Sequence, residues 1–114
     1  MSYEIEYTVE CLPEYIQIEG NASAIDEETD AEIANEIREQ LENGNEWAWC
    51  CIRVKATAYD ENGEQVAYGE DYLGGCNYAS EADFLECPYY TDMCEIARED
   101  CEEEIARIRK ALLT

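Results

Sequence analysis

Residues Tyr3 to Cys11 alternate along the chain. Tyr3, Ile5, Tyr7, Val9 and Cys11 fall on one side, and Glu4, Glu6, Thr8 and Glu10 on the other. A period of two marks a half-buried strand, because successive side chains leave opposite faces of the pleat. Pro13 interrupts the pattern, and Tyr15 to Glu19, with Ile16 and Ile18, reads as a second short strand. The period then lengthens. Thr29-Asp30-Ala31-Glu32 has the form of a capping box, with Thr29 at the N-cap, and Ile33, Ala34, Ile37 and Leu41 mark one helical face up to the Asn43-Gly44 stop. The far side of this helix carries Glu28, Glu32, Glu36, Glu39 and Glu42.

Trp47 to Tyr59 gives the clearest strand signal. Ala48, Cys50, Ile52, Val54, Ala56 and Ala58 form a small apolar face, against Trp47, Trp49, Cys51, Arg53, Lys55, Thr57 and Tyr59 on the other. Asp60-Glu61-Asn62-Gly63-Glu64 turns the chain, since Asn-Gly favours a hairpin, and Gln65 to Leu73 returns as the partner strand. Beyond Gly74-Gly75, Ser80-Glu81-Ala82-Asp83 caps a short helical turn through Glu86, and Pro88 opens a long helix ending near Leu113. Tyr90, Cys94, Ala97, Cys101, Ile105, Ile108 and Leu112 recur at three- and four-residue steps, which makes one buried stripe. Asp92, Glu95, Glu99, Glu102 and Glu103 lie opposite it, and Arg107, Arg109 and Lys110 fall in the last turns, as the helix dipole favours. The predicted order is β-β-α-β-β-α. It implies one α+β domain over residues 1–114, with a small antiparallel sheet of three or four strands and two main helices packed on one face.

Composition changes the picture through charge. The 114 residues include 29 Asp plus Glu against seven Lys plus Arg, for a net charge of −22, and no histidine. Apolar residues are 46% of the chain, enough for a core, so the acidity does not imply disorder. Direct nucleic-acid binding and attachment to an anionic membrane both need a basic face and are excluded as expectations. Without histidine there is no imidazole base, catalytic triad or imidazole metal site, and no carboxylate pair stands out as an acid–base dyad. No enzyme activity, cofactor or metal is expected. The acidic turn at Asp60 has its glycine at the fourth position rather than the sixth, unlike a calcium loop.

Seven cysteines (Cys11, Cys50, Cys51, Cys76, Cys87, Cys94 and Cys101) are an odd set without a Cys-x-x-Cys pair, and read mostly as reduced thiols packing as small apolar groups. The acidic first residues lack a basic and apolar leader, and the longest apolar run, Trp47 to Ile52, is far too short to span a bilayer. A soluble cytoplasmic protein is the expectation.

The charge is unevenly placed. Residues 1–46 carry −13, residues 47–59 carry +2, residues 60–104 carry −14 and the last ten carry +3. Duplex DNA has one charge per about 1.7 Å, so this net charge equals that of about 37 Å of duplex, close to the ~34 Å diameter of a domain this size. Rows of like charge on a helix repel and lower stability, so something else must favour them. One reading is a decoy for a protein groove that normally holds nucleic acid, with Glu28, Glu32, Glu36, Glu39, Glu42, Asp92, Glu95, Glu99, Glu102 and Glu103 standing in for phosphates. Simple solvation of an acidic surface and salt adaptation are the alternatives. The Trp47, Trp49, Arg53, Lys55 and Tyr59 face combines aromatics with the mid-chain cations. It is a second candidate, for gripping a partner or forming a homodimer; the alternative is that Arg53 and Lys55 pair with neighbouring carboxylates while the tryptophans seal the sheet.

The stretches Trp47-Ala48-Trp49-Cys50, Asp71-Tyr72-Leu73-Gly74, Cys76-Asn77-Tyr78, Glu81-Ala82-Asp83-Phe84 and Tyr89-Tyr90-Thr91-Asp92-Met93 resemble a family of small acidic proteins from phage and prophage genomes. The resemblance covers about residues 46–93 and implies a phage setting, with no established activity or catalytic residues. By class, the chain is also similar to the DNA-mimicking anti-restriction and anti-CRISPR proteins of phages. Together these imply an inhibitor that occludes the nucleic-acid groove of a basic host defence complex, in the host cytoplasm during infection. The other expectation is an acidic adaptor or phage assembly protein that uses the Trp47/Trp49 face without mimicry.

Overall fold

The computed structural model describes residues 2–113 and shows an α+β fold around a three-stranded antiparallel sheet. In chain order it has strand β1 (Glu4–Leu12), helix α1 (Glu27–Glu42), a single 3-10 turn (Glu46–Ala48), strands β2 (Cys50–Tyr59) and β3 (Gln65–Cys76), and helices α2 (Glu81–Leu85) and α3 (Pro88–Leu113). The sheet order is β1-β2-β3, with β2 in the centre. Among the described residues no helix is long and apolar enough to cross a membrane.

The strand expected at Tyr15–Glu19 does not form. Its backbone groups are claimed by other partners. The Glu14 carboxylate accepts from the amides of Tyr15 and Ile16 at 2.8 and 3.0 Å, the Ile16 carbonyl accepts from Trp49 Nε1 at 2.9 Å, and the Ile18 carbonyl closes a turn with Asn21 N at 3.0 Å. Backbone groups so bonded are not available to a ladder. The element order is therefore β-α-β-β-α-α.

Three boundaries also shift. Helix α1 starts earlier than the Thr29 box: Asp26 is its N-cap and accepts from Thr29 N at 2.7 Å. Asp is as good a cap as Thr, and the cap placed at Asp26 puts Glu27, Glu28 and Asp30 in the first turn, where the helix dipole favours anions. Trp47 lies in the 3-10 turn rather than in a strand, because Asn45 caps that turn by accepting from Trp47 N at 3.1 Å, so β2 begins at Cys50. β3 runs past the expected Leu73 end to Cys76, carried through Gly74-Gly75 by Gly75 at φ +63°, whose amide donates to Glu14 Oε2 at 2.7 Å.

The chain divides into two compact units, residues 1–10, 53–72 and 88–114 in one, and residues 11–52 and 73–87 in the other. In the first, α3 presses Met93, Ala97, Cys101 and Ile105 into the core. Its contact with β3 is so close that a Cβ on Gly69 would sit 2.3 Å from both the Ala97 carbonyl oxygen and the Cys101 amide nitrogen. Leu112, the last member of the expected stripe, is 80% exposed and takes no part in the core. The hairpin between β2 and β3 is closed by the Asp60 carboxylate, which accepts from Asn62 N and Glu64 N at 2.8 and 3.0 Å, with Gly63 at φ +78°.

In the second unit Ile37, Ala48 and Trp49 form a buried cluster flanked by Ile18, Ala22, Ile33 and Leu41. The single Phe of the chain, Phe84, is fully buried, with Trp47 stacked 6.1 Å away and Tyr78 edge-on at 5.2 Å. Helix α2 therefore works as a plug. Ser80 caps it by accepting from Asp83 N, and the helix turns Phe84 inward.

Two substitutions test this packing by urea denaturation. Gly69→Ala meets backbone that has no rotamer to give, and is expected to destabilise by at least about 1–3 kcal/mol. Phe84→Ala leaves a cavity and is expected to destabilise by about 3–5 kcal/mol.

Candidate functional site

Carboxylates are the only chemistry present in quantity, and the fold sorts them into two groups. One group is turned onto backbone amides. Asp30, although on α1, is only 7% exposed and accepts from Gly20, Ala22 and Ser23 N at 2.6, 2.8 and 2.9 Å, which fastens the loop that precedes its own helix. The Gly20 amide is the strongest of the influences that hold its carboxyl below the usual range. The Thr29 amide does the same for Asp26. For Glu14, partial burial pushes the carboxyl up, but the amides of Gly75, Ile16 and Tyr15 outweigh it and hold it down. On β3, Glu70 N donates to the Asp100 carboxylate of α3 at 3.2 Å.

The second group projects into solvent. Glu28, Glu32, Glu36, Glu39 and Glu42 are all exposed along α1, on the side opposite Ala34 and Ile37. Among the described residues none of the five forms an ion pair or hydrogen bond through its side chain. The row covers about 21 Å of helix axis, or a charge every ~5 Å. Asp92, Glu95, Glu99, Glu102 and Glu103 are likewise exposed on α3, opposite Ala97 and Cys101. They span about 17 Å, or a charge every ~4 Å, close to the ~3.4 Å per phosphate along one strand of duplex DNA. Among the described residues Glu102 alone of these has a cation, Arg98 at 3.7 Å, and that exposed i,i+4 pair adds little. Each row belongs to a different unit of the fold.

The cations are mostly engaged. Arg38 pairs with Glu19, and Arg107 with Glu104 at 2.6 Å. Arg53 pairs with Glu10 and, at 3.9 Å, with Glu70, whose carboxylate also accepts from the Tyr72 hydroxyl. Contact with Tyr72 is the first of the influences that raise the Arg53 pKa, followed by that with Glu10, so this guanidinium stays charged. Lys55 Nζ lies 4.4 Å from the centre of the Tyr68 ring. The tryptophans of the second candidate face are not presented to solvent. Trp49 is 7% exposed, and Trp47 is half-buried on Phe84. Arg53, Lys55 and Tyr59 are half-buried on β2, in the other unit from the two tryptophans.

All seven cysteines are free thiols, with Cys50, Cys76 and Cys101 buried. Burial is the leading cause that pushes up the pKa of Cys11, Cys50, Cys51, Cys76, Cys94 and Cys101, to about 11 for Cys76. Neutral thiols are poor nucleophiles and poor metal ligands. Among the described residues no group of three or more Cys, Asp or Glu is arranged to hold a metal ion.

The backbone-binding role of Asp30 and Glu14 was not legible in the sequence, since the amides they bind, in loops and at Gly75 of β3, carry no motif. Asp26 did carry a signal, a cap residue three before Thr29, which the Thr29 box overshadowed.

Asp30→Asn tests the division of labour. The amide cannot accept from three donors as the carboxylate does, so the variant is less stable at pH 7. Because the folded Asp30 pKa is lowered, its contribution is full above about pH 4 and is lost as the pH falls through that lowered value. The gap in urea midpoint between wild type and variant should therefore be widest near neutrality and narrow progressively as the pH is lowered into the acid range.

No family model, curated protein or solved structure matches this chain.

Proposed function

We propose that this protein is a DNA-mimicking inhibitor of the anti-CRISPR or anti-restriction kind, phage-encoded and acting on a host defence complex in the host cytoplasm. It enters the groove through which a basic nuclease or interference complex holds DNA, and its carboxylates take the place of phosphates. The observation that carries the reading is the α1 row: five exposed carboxylates on one face, with no cation among the described residues paired to any of them. Unpaired like charges lower stability, and a solubilising surface would be served as well by mixed charge. The α3 row, with its closer spacing, offers a second surface of the same kind. Attraction of this sort acts over a long range, accelerates encounter and weakens with salt. It also distributes affinity over many carboxylates, so no single one is essential.

The test is displacement of fluorescent duplex DNA from a panel of purified restriction endonucleases and CRISPR interference complexes. The expected result is displacement from at least one member at 50 mM salt, weakened by at least about ten-fold at 300 mM. Changing Glu28, Glu32, Glu36, Glu39 and Glu42 to Gln, together with Glu95, Glu99, Glu102 and Glu103, should abolish displacement. The same changes should raise the thermal midpoint, because i,i+4 repulsion is removed. That opposite movement separates lost binding from lost folding. Unchanged displacement by the nine-fold variant, or no displacement across the panel, overturns the proposal.

A further inference from the structure

The sheet has two edges, and the fold treats them differently. On β3, two backbone amides are taken by side chains: Glu70 N by Asp100 at 3.2 Å, and Gly75 N by Glu14 at 2.7 Å. Side chains that occupy an edge in this way block strand addition. β1 lies at the opposite edge, nine residues long with no proline, and among the described residues its backbone makes no hydrogen bond outside the sheet. Its outward N–H and C=O groups are a template for another strand.

The side chains say what kind of strand. Glu4, Glu6, Thr8 and Glu10 share one face of β1. Glu10 is taken by Arg53, whereas Glu4 and Glu6 are exposed and form no ion pair among the described residues. Glu4 and Glu6 also line a cleft of about 610 Å³ at the start of β1, together with Tyr3, Tyr59, Asp60 and Glu61. Carboxylates and tyrosine rings suit a Lys or Arg side chain. On the other face of β1, Ile5 and Val9 are half-buried and Tyr7 is 38% exposed, which suits an apolar neighbour.

A second copy of this chain does not fit. Antiparallel self-pairing centred on Tyr7 or Thr8 sets Glu4 or Glu6 opposite Glu10, and parallel in-register pairing sets each Glu beside itself. Like charges directly opposite are destabilising. Two chains of charge −22 repel as well.

We propose that the free edge of β1 binds an extended basic segment of a partner protein by strand addition, with Lys or Arg at alternate positions facing Glu4 and Glu6 and apolar residues between them. The segment extends the sheet to four strands, and a cation at its end enters the Tyr3/Tyr59 cleft. This surface is separate from the α1 and α3 rows and does not depend on the inhibitor reading.

The probe is a synthetic peptide of alternating Lys and Val, six to eight residues long, added to the full chain. Binding should slow hydrogen exchange of β1 amides by at least about ten-fold at saturation, and leave the amides of α1 and α3 unchanged. The same peptide N-methylated at every amide keeps its charge but cannot join a ladder, and should not bind. Glu4→Lys with Glu6→Lys should weaken binding at least ten-fold, while changing the α1 and α3 rows to Gln leaves it nearly unchanged. Equal binding of the N-methylated peptide, or protection on the helices instead of β1, overturns the proposal by reducing it to attraction between opposite net charges.

Discussion

Burial of the even-numbered face of β2 is the constraint on which the rest depends. Cys50, Ile52, Val54, Ala56 and Ala58 are each at most 1% exposed, in the only strand with a neighbour on both sides. A chain of charge −22 repels itself when compact, and apolar burial is the largest favourable term available to offset that repulsion. The strand that supplies it has no acidic residue, and its two cations are covered by Glu10, Glu70 and the Tyr68 ring. Small side chains on this face let backbone approach backbone. Gly69 on β3 extends the same economy, admitting the α3 backbone where a methyl group would clash.

Around that core the acidic residues divide by what they meet. Asp26, Asp30, Glu14, Asp60 and Asp100 accept from backbone amides that no helix or strand satisfies, and so hold together loops otherwise poor in regular structure. A buried orphan amide is costly and an ionised acceptor is among its best partners. The acidic composition is therefore partly structural. The carboxylates on the outer faces of α1 and α3 are different. Apart from Glu28 in the first turn of α1 and Glu102 beside Arg98, they meet no partner among the described residues, and that directs attention to a partner outside the chain.

The fold was legible where periodicity and capping agreed. The period-two runs of β1 and β2, the Asn-Gly turn at Asn62-Gly63, the Ser80 cap of α2 and the Pro88 start of α3 all stand in the structure near their expected places. Tyr15–Glu19 failed because alternation is necessary for a strand but not sufficient: Glu14 and Trp49 compete for the same backbone groups, and Trp49 arrives from thirty-three residues away. Trp47 and Trp49 do not share one strand face with Arg53, Lys55 and Tyr59, because one ring packs onto Phe84 and the other into the Ile37 cluster.

The sequence by itself determined the charge, its placement in blocks, and the faces of α1 and α3 that carry it, since helical geometry fixes which residues share a face. Tertiary structure alone decided which carboxylates are committed. Asp30 and Glu32 stand two residues apart on one helix, yet one is buried against three amides and the other is free in solvent. It also decided how the two edge strands differ, because Asp100 and Glu14 take backbone amides of β3, while among the described residues no side chain takes a backbone group of β1. Both outcomes rest on contacts between residues distant in the chain, which no local pattern encodes.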